Sequence, residues 1–170
     1  DHLEKTPDYY HPLPKDNLLT IEGQKTIGLE LAYQLKDLDN LIIPRGSGTM
    51  VVSIYRGLLD AQESGWIDKL PRIFAISLEK ARDAHLAESL VMKTPILIEE
   101  VNQIIKKTEG KSLEIKAHTM IEDAMVLASN EGIFIEPASA SVISACKELF
   151  SKNEKKKKKT IAILSGTGLN

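Results

Sequence analysis

The segment Arg45-Gly46-Ser47-Gly48-Thr49 lies between an apolar run and a stretch of helical period, and its residue types suit an anion. The first N–H groups of a helix lack internal partners, and the helix dipole favours negative charge at that end. Glycines let a backbone approach a ligand closely, and the hydroxyls of Ser47 and Thr49 add donors. A phosphate fits. A tight strand-to-helix turn that needs glycine for its angles fits equally. The segment lacks the Gly-Lys-Ser/Thr ending of a Walker A loop and the third glycine of the dinucleotide fingerprint. A second glycine-rich turn, Ser165-Gly166-Thr167-Gly168, follows another apolar run. Open α/β sheets bind ligands beyond the carboxyl ends of their strands, so both turns are expected to open on the same side. In Gly132-Ile133-Phe134-Ile135-Glu136-Pro137-Ala138-Ser139-Ala140, Glu136 stands between a short apolar run and a helix start. Its carboxylate is either a cap for that helix or a group of the site.

The elements that must position these residues follow from periodicity. Ile27, Leu31 and Leu35 recur at a spacing of four and predict a helix over 21–38. Residues 40–44 read as a strand buried on both faces. A second helix runs from about Met50 to Ser64, with Gly65 as its stop. Residues 71–77 read as the next strand, 80–92 as a weakly patterned helix, and 97–108 as an amphipathic helix followed by Gly110. Alternation predicts an edge strand over 113–119. Then come a helix over 119–130, a short strand over 133–135, a helix over 137–150 opened by Pro137, and a final strand over 160–164. Strands alternating with helices indicate an α/β domain, three-layer αβα with a mostly parallel sheet.

Composition narrows the function classes. A net charge of −2 gives no global attraction to nucleic acid or to an anionic membrane. No segment approaches the ~20 apolar residues that span a bilayer. The lone Cys146 excludes an internal disulfide framework, a soluble cytoplasmic protein is expected, and no metal is called for. The lysine run 155–159, without interleaved aromatics, reads as a solvated loop. Residues 1–16 are polar and proline-containing, with Asp1 at the start, and read as a connecting segment from the middle of a longer chain. The domain proper spans 17–170. Asn170 lies inside a turn, where a continuation is expected.

Taken together, these segments resemble threonine synthases and their relatives, the tryptophan-synthase-β-like (fold-type II) pyridoxal phosphate enzymes. Glu22-Gly23-Gln24-Lys25-Thr26 resembles the family's Glu-Gly-Gln/Lys-Lys-Thr helix start. Pro44-Arg45-Gly46-Ser47-Gly48-Thr49 resembles its Pro-Val-Gly-Ser/Asn-Gly-Gly loop. Residues 131–140 are similar, almost residue for residue, to Glu-Gly-Ile-Phe-Val-Glu-Pro-Ala-Ser-Ala, and 164–169 to Leu-Thr-Gly-His-Gly-Leu. The match covers residues 17–170. It implies the incomplete large cofactor-binding domain of such an enzyme, with Gly46, Ser47, Gly48 and Thr49 on the phosphate of pyridoxal 5'-phosphate. It also implies Ser165 on the pyridine nitrogen and Glu136 near the site. Three departures concern the same region. Arg45 and Met50 stand where the family has small residues, and Thr167 stands for its usual His.

The family's cofactor-bonding lysine belongs to a Ser-x-Lys-Asp-like or Phe-Lys-Asp-like segment, which this sequence lacks. The resemblance therefore places that lysine, and the smaller substrate-closing domain, upstream. Lys25 belongs to a different motif. The resemblance implies a part of a lyase that converts O-phosphohomoserine and water to threonine and phosphate, inactive alone. Its partners would be the missing N-terminal part and a second copy of the chain. Threonine or serine dehydratase and cysteine synthase activities compete within the same fold. A homologue that binds the cofactor or phosphate without turnover, and a purely structural domain, also stay open.

Overall fold

The computed structural model describes residues 18–79, 90, 96–150 and 158–169. The chain order is α1 (Leu18–Gln34), β1 (Asn40–Pro44), α2 (Thr49–Glu63), β2 (Arg72–Leu78), α3 (Ile98–Lys107), β3 (Lys111–Ile115), α4 (Ala117–Glu131), α5 (Pro137–Leu149) and β4 (Thr160–Ala162). The strands form one parallel sheet in the order β3-β2-β1-β4.

The central strands are apolar on both faces because both faces are covered. Leu41 and Ile43, with Ile73 and Ala75, pack against α1, α2 and α3. Ile42, Phe74 and Ile76 face the other way, onto Met120 of α4 and Ala138, Val142 and Ala145 of α5. Burying each large aliphatic side chain contributes about 1.5–3 kcal/mol. The result is the three-layer α/β/α architecture expected. The passage from β1 through β2 to β3 lays α2 and α3 on one face. The return from β3 to β4 lays α4 and α5 on the other. A cavity lies at the carboxyl ends of the neighbouring strands β1 and β4, lined by residues of the loops that leave both.

Pro44 limits the pairing of those two strands. The β1–β4 ladder pairs Ile42 with Ala162, and Ile163 N–H still donates to Ile42 O at 3.0 Å. The next rung would need an N–H from Pro44, which has none. The strand predicted over 160–164 accordingly stops at Ala162, and Leu164 peels away half-exposed.

Other boundaries also move. The first helix starts at Leu18 and ends at Gln34, so Leu38 reaches the core from a turn. The edge strand begins at Lys111 and ends at Ile115, not at 119. Leu113, Ile115 and Ala117 are all buried, but Ala117 already opens α4, and the chain turns at extended Lys116. No strand forms over 133–135. Ile133 and Phe134 are exposed, and Ile135 makes an isolated antiparallel bridge to Thr167. Apart from Leu90, the helix expected over 80–92 lies outside the described residues, as do segment 1–16 and lysines 155–157.

Gly28 of α1 and Gly57 of α2 bring the two helix backbones into direct contact. A Cβ at Gly28 would collide with Ile54 O, and one at Gly57 with Lys25 O. Among the described residues no helix is long and apolar enough to cross a membrane.

Candidate functional site

The cavity has a volume of about 390 Å³, within the range of small-molecule sites. It is lined by Pro44, Gly46, Ser47, Gly48, Thr49 and Met50. Glu136, Ala138 and Ser165 also line it, as do Thr20 and Gln24 of α1 and Leu90. The two glycine-rich turns thus meet around one space.

The first turn is built on the core. Gly48 caps α2 with φ 96°, a left-handed conformation that glycine adopts without strain. An added Cβ would lie 2.9 Å from Val101 Cγ2 and 3.2 Å from Leu97 Cβ, so α3 backs the loop directly. Leu97 N–H also donates to Ser47 O at 3.1 Å. Inside the turn, Ser47 Oγ accepts the Thr49 N–H at 3.3 Å and lies 2.8 Å from Thr49 Oγ1. Hydroxyls and helix-terminal N–H groups are therefore concentrated at this end.

The second turn is strapped to α5 by polar bonds. Gly166 N–H donates to Ser139 Oγ at 2.7 Å, and Glu136 N–H donates to Gly166 O at 3.2 Å. Ser139 Oγ and Ser165 Oγ are 3.2 Å apart. Ser139 has no solvent exposure. Glu136 occupies the N-cap position of α5 but makes no side-chain cap bond. Its carboxylate lies against Gly166 instead, where an added Cβ would come within 2.5 Å of Cδ and Oε1. Of the two readings open for Glu136, the geometry favours the group that lines the cavity.

Arg45 and Thr167 are not among the lining residues. Arg45 N–H donates to Ile76 O at 2.5 Å, and its buried Nε has no hydrogen-bond partner. Burial pulls the guanidinium below its ordinary value, with the Glu114 carboxylate on β3 opposing that shift. Thr167 Oγ1 accepts the Leu169 N–H at 3.3 Å within its own turn. Met50 does line the cavity.

Lys25 lies outside the lining. Bonds first to Asp60 and then to Glu22 hold its ammonium above the usual lysine range. A lysine nucleophile needs the opposite shift. No described lysine lines the cavity. Sequence reasoning did not assign Thr20, Gln24, Leu90, Ala138 or Ser139 to the site. Gln24 and Ser139 fall within segments that carried the resemblance, but nothing in their spacing shows that helix packing would bring them here.

Known proteins resemble this chain in sequence and in fold. The chain is 28% identical over 174 residues to the threonine synthase of Methanocaldococcus jannaschii, an alignment covering 90% of this chain and 43% of that protein. It is 28% identical over 158 residues to the biosynthetic L-threonine dehydratase of Corynebacterium glutamicum, covering 80% of this chain and 34% of that one. Among solved structures, the cysteine synthase of Entamoeba histolytica superposes with a TM-score of 0.74 at 15% identity, over 98% of this chain and 49% of that chain. The chain thus spans less than half the length of these relatives. A family model described as pyridoxal-phosphate dependent enzyme matches residues 1–166, and the chain belongs to that family.

Proposed function

We propose that this chain is the cofactor-cradling part of a threonine synthase, a lyase that turns O-phosphohomoserine and water into threonine and phosphate. The observation that carries the reading is the pairing of a hydroxyl-rich helix N-terminus with a serine hydroxyl in the lining of one cavity. The residues fit pyridoxal 5'-phosphate. Gly46, Ser47, Gly48 and Thr49 offer backbone and hydroxyl donors to its phosphate, and no acidic residue interrupts that turn. Ser165, which also lines the cavity, offers a hydroxyl to the ring nitrogen and leaves that nitrogen largely unprotonated. Bound there, the cofactor supplies an electron sink, and the protein supplies placement. Met50, Glu136 and Gln24 limit the space beside the ring. The covalent lysine is assigned to the part of the whole protein matched by the remaining length of its relatives, since none of the described lysines faces the cavity. Residues 17–170 then form one cofactor-binding unit, with residues 1–16 as a connecting segment. In the whole protein, the missing part completes the substrate pocket, and a second copy of the chain completes the assembly.

Titration of the chain with pyridoxal phosphate, followed by borohydride reduction and mass analysis, tests the cradle. Saturable binding, displaced by inorganic phosphate and leaving no mass added to the chain, is expected. A cofactor-labelled lysine in this chain would overturn the assignment of that lysine elsewhere. A dehydratase is the second reading, favoured by equal identity to the dehydratase relative. Assay of the whole protein separates the two. Phosphate release from O-phosphohomoserine supports the synthase, and 2-oxobutanoate formation from threonine supports the dehydratase.

A further inference from the structure

We infer that Ser139 is a positioning residue that fixes the direction in which Ser165 offers its proton, and so makes the cavity select a ring nitrogen with a free lone pair. The inference rests on the proposed cofactor site and concerns its chemistry. A serine hydroxyl has one hydrogen and two lone pairs. Ser139 Oγ already accepts the Gly166 N–H at 2.7 Å, and the residue is shut off from water. Its own hydrogen needs an acceptor, and Ser165 Oγ stands 3.2 Å away. With the hydrogen between them belonging to Ser139, the Ser165 proton is released toward the cavity that Ser165 lines. The reverse orientation would leave an orphaned buried hydroxyl hydrogen, which is costly.

The chain of donors then runs one way, from Gly166 N–H to Ser139, from Ser139 to Ser165, and from Ser165 into the cavity. Successive hydrogen bonds polarise one another and strengthen the last donor. The order also discriminates. An acceptor opposite Ser165 completes the chain, whereas a protonated ring nitrogen or a bare C–H leaves the Ser165 proton without a partner. Ser139 touches neither ligand nor reacting atoms and acts through Ser165 alone. Ala at this position would keep nearly the same volume in the helix.

The test compares two probes on the intact chain, pyridoxal phosphate and its benzene analogue without the ring nitrogen, each titrated by equilibrium dialysis. Inorganic phosphate is measured in parallel. Ser139→Ala is expected to lower the preference for pyridoxal phosphate over the analogue by about five-fold, the size of one net hydrogen bond. Phosphate affinity should stay unchanged, and Ser139→Ala combined with Ser165→Ala should lower the preference no further than Ser165→Ala alone. The ¹⁵N shift of labelled cofactor should move toward that of a non-bonded ring nitrogen in Ser139→Ala. A preference kept at the wild-type value in Ser139→Ala, with Ser165→Ala losing it, would sink the relay and leave the ring-nitrogen site standing. Equal weakening of both probes and phosphate would reduce Ser139 to a structural role and overturn the inference. A preference unchanged in Ser165→Ala, or absent binding of pyridoxal phosphate to the wild-type chain, would overturn the proposed site and this inference with it.

Discussion

The two glycine-rich turns both contribute to the lining of one cavity, yet they are held by different means. The turn at 45–49 rests on the core. Its glycine is packed against Val101 and Leu97, and its hydroxyls bond one another. The turn at 165–168 rests on polar straps from α5, and its glycine faces the movable end of a side chain, the Glu136 carboxylate. A phosphate has several oxygens and accepts donors from many directions, so in the proposed site a bowl of N–H groups would serve it. A ring nitrogen presents one lone pair, so in the proposed site the second turn would need a single aimed hydroxyl. The contrast teaches that shape can be set by packing, whereas direction must be set by hydrogen bonds.

Substitution at the first turn should give the largest effect. Gly48→Val forces a β-branched residue to φ 96° and drives Cβ to within 2.9 Å of Val101. Left-handed strain and overpacking together cost about 3 kcal/mol. For a chain of this size the Tm falls by roughly 6–12 °C. Thermal melts measure this, and pyridoxal phosphate titration should show affinity lost as well. Gly166→Ala should be milder, about 1 kcal/mol, because a carboxylate can swing aside where a core side chain cannot. Adding Glu136→Ala should recover that stability. A melt in which Gly166→Ala costs as much as Gly48→Val would erase the distinction between the turns.

The smallest effect concerns Asp39, which aligns the opposite ends of the same two strands. Asp39 Oδ2 accepts the Lys159 N–H at 3.0 Å, and Oδ1 pairs with Lys69 at 2.8 Å. The Lys69 bond first, then the Lys159 N–H, hold the carboxyl below the ordinary 3.8 of an aspartate. A carboxyl depressed in the folded state contributes stability above its unfolded pKa, lost as pH falls through the folded value. Asp39→Asn should therefore lower the Tm slightly at pH 7, and the difference should close as pH falls below about 4. A gap that persists in acid would mean that the charge is not what joins β1 to β4.

Much of this arrangement is legible in the sequence. β1 is readable at 40–44 because five successive buried residues leave no alternation to misread. The convergence of Gly46–Thr49 with Ser165 is legible because both follow parallel strands. What escapes are tertiary effects. Nothing local says that the Pro44 side without an N–H faces β4, so the apolar pattern carries the last strand two residues past its end at Ala162. The alternation of Leu113, Ile115 and Ala117 continues through a strand-to-helix change because both elements bury the same side of the chain. Ser139 looks like any helical serine until Gly166 is placed beside it.

The glycine contact between α1 and α2 has a bearing on the cavity itself. Gln24 lies one turn from Gly28, and Met50 lies two turns from Gly57. Both helices contribute to the lining of the opening, and their backbones touch where those glycines meet. The contact works as a gauge block. One methyl inserted there would shift Gln24 relative to Met50 from a distance, and ligand affinity would register a change in helix packing that touches no ligand atom.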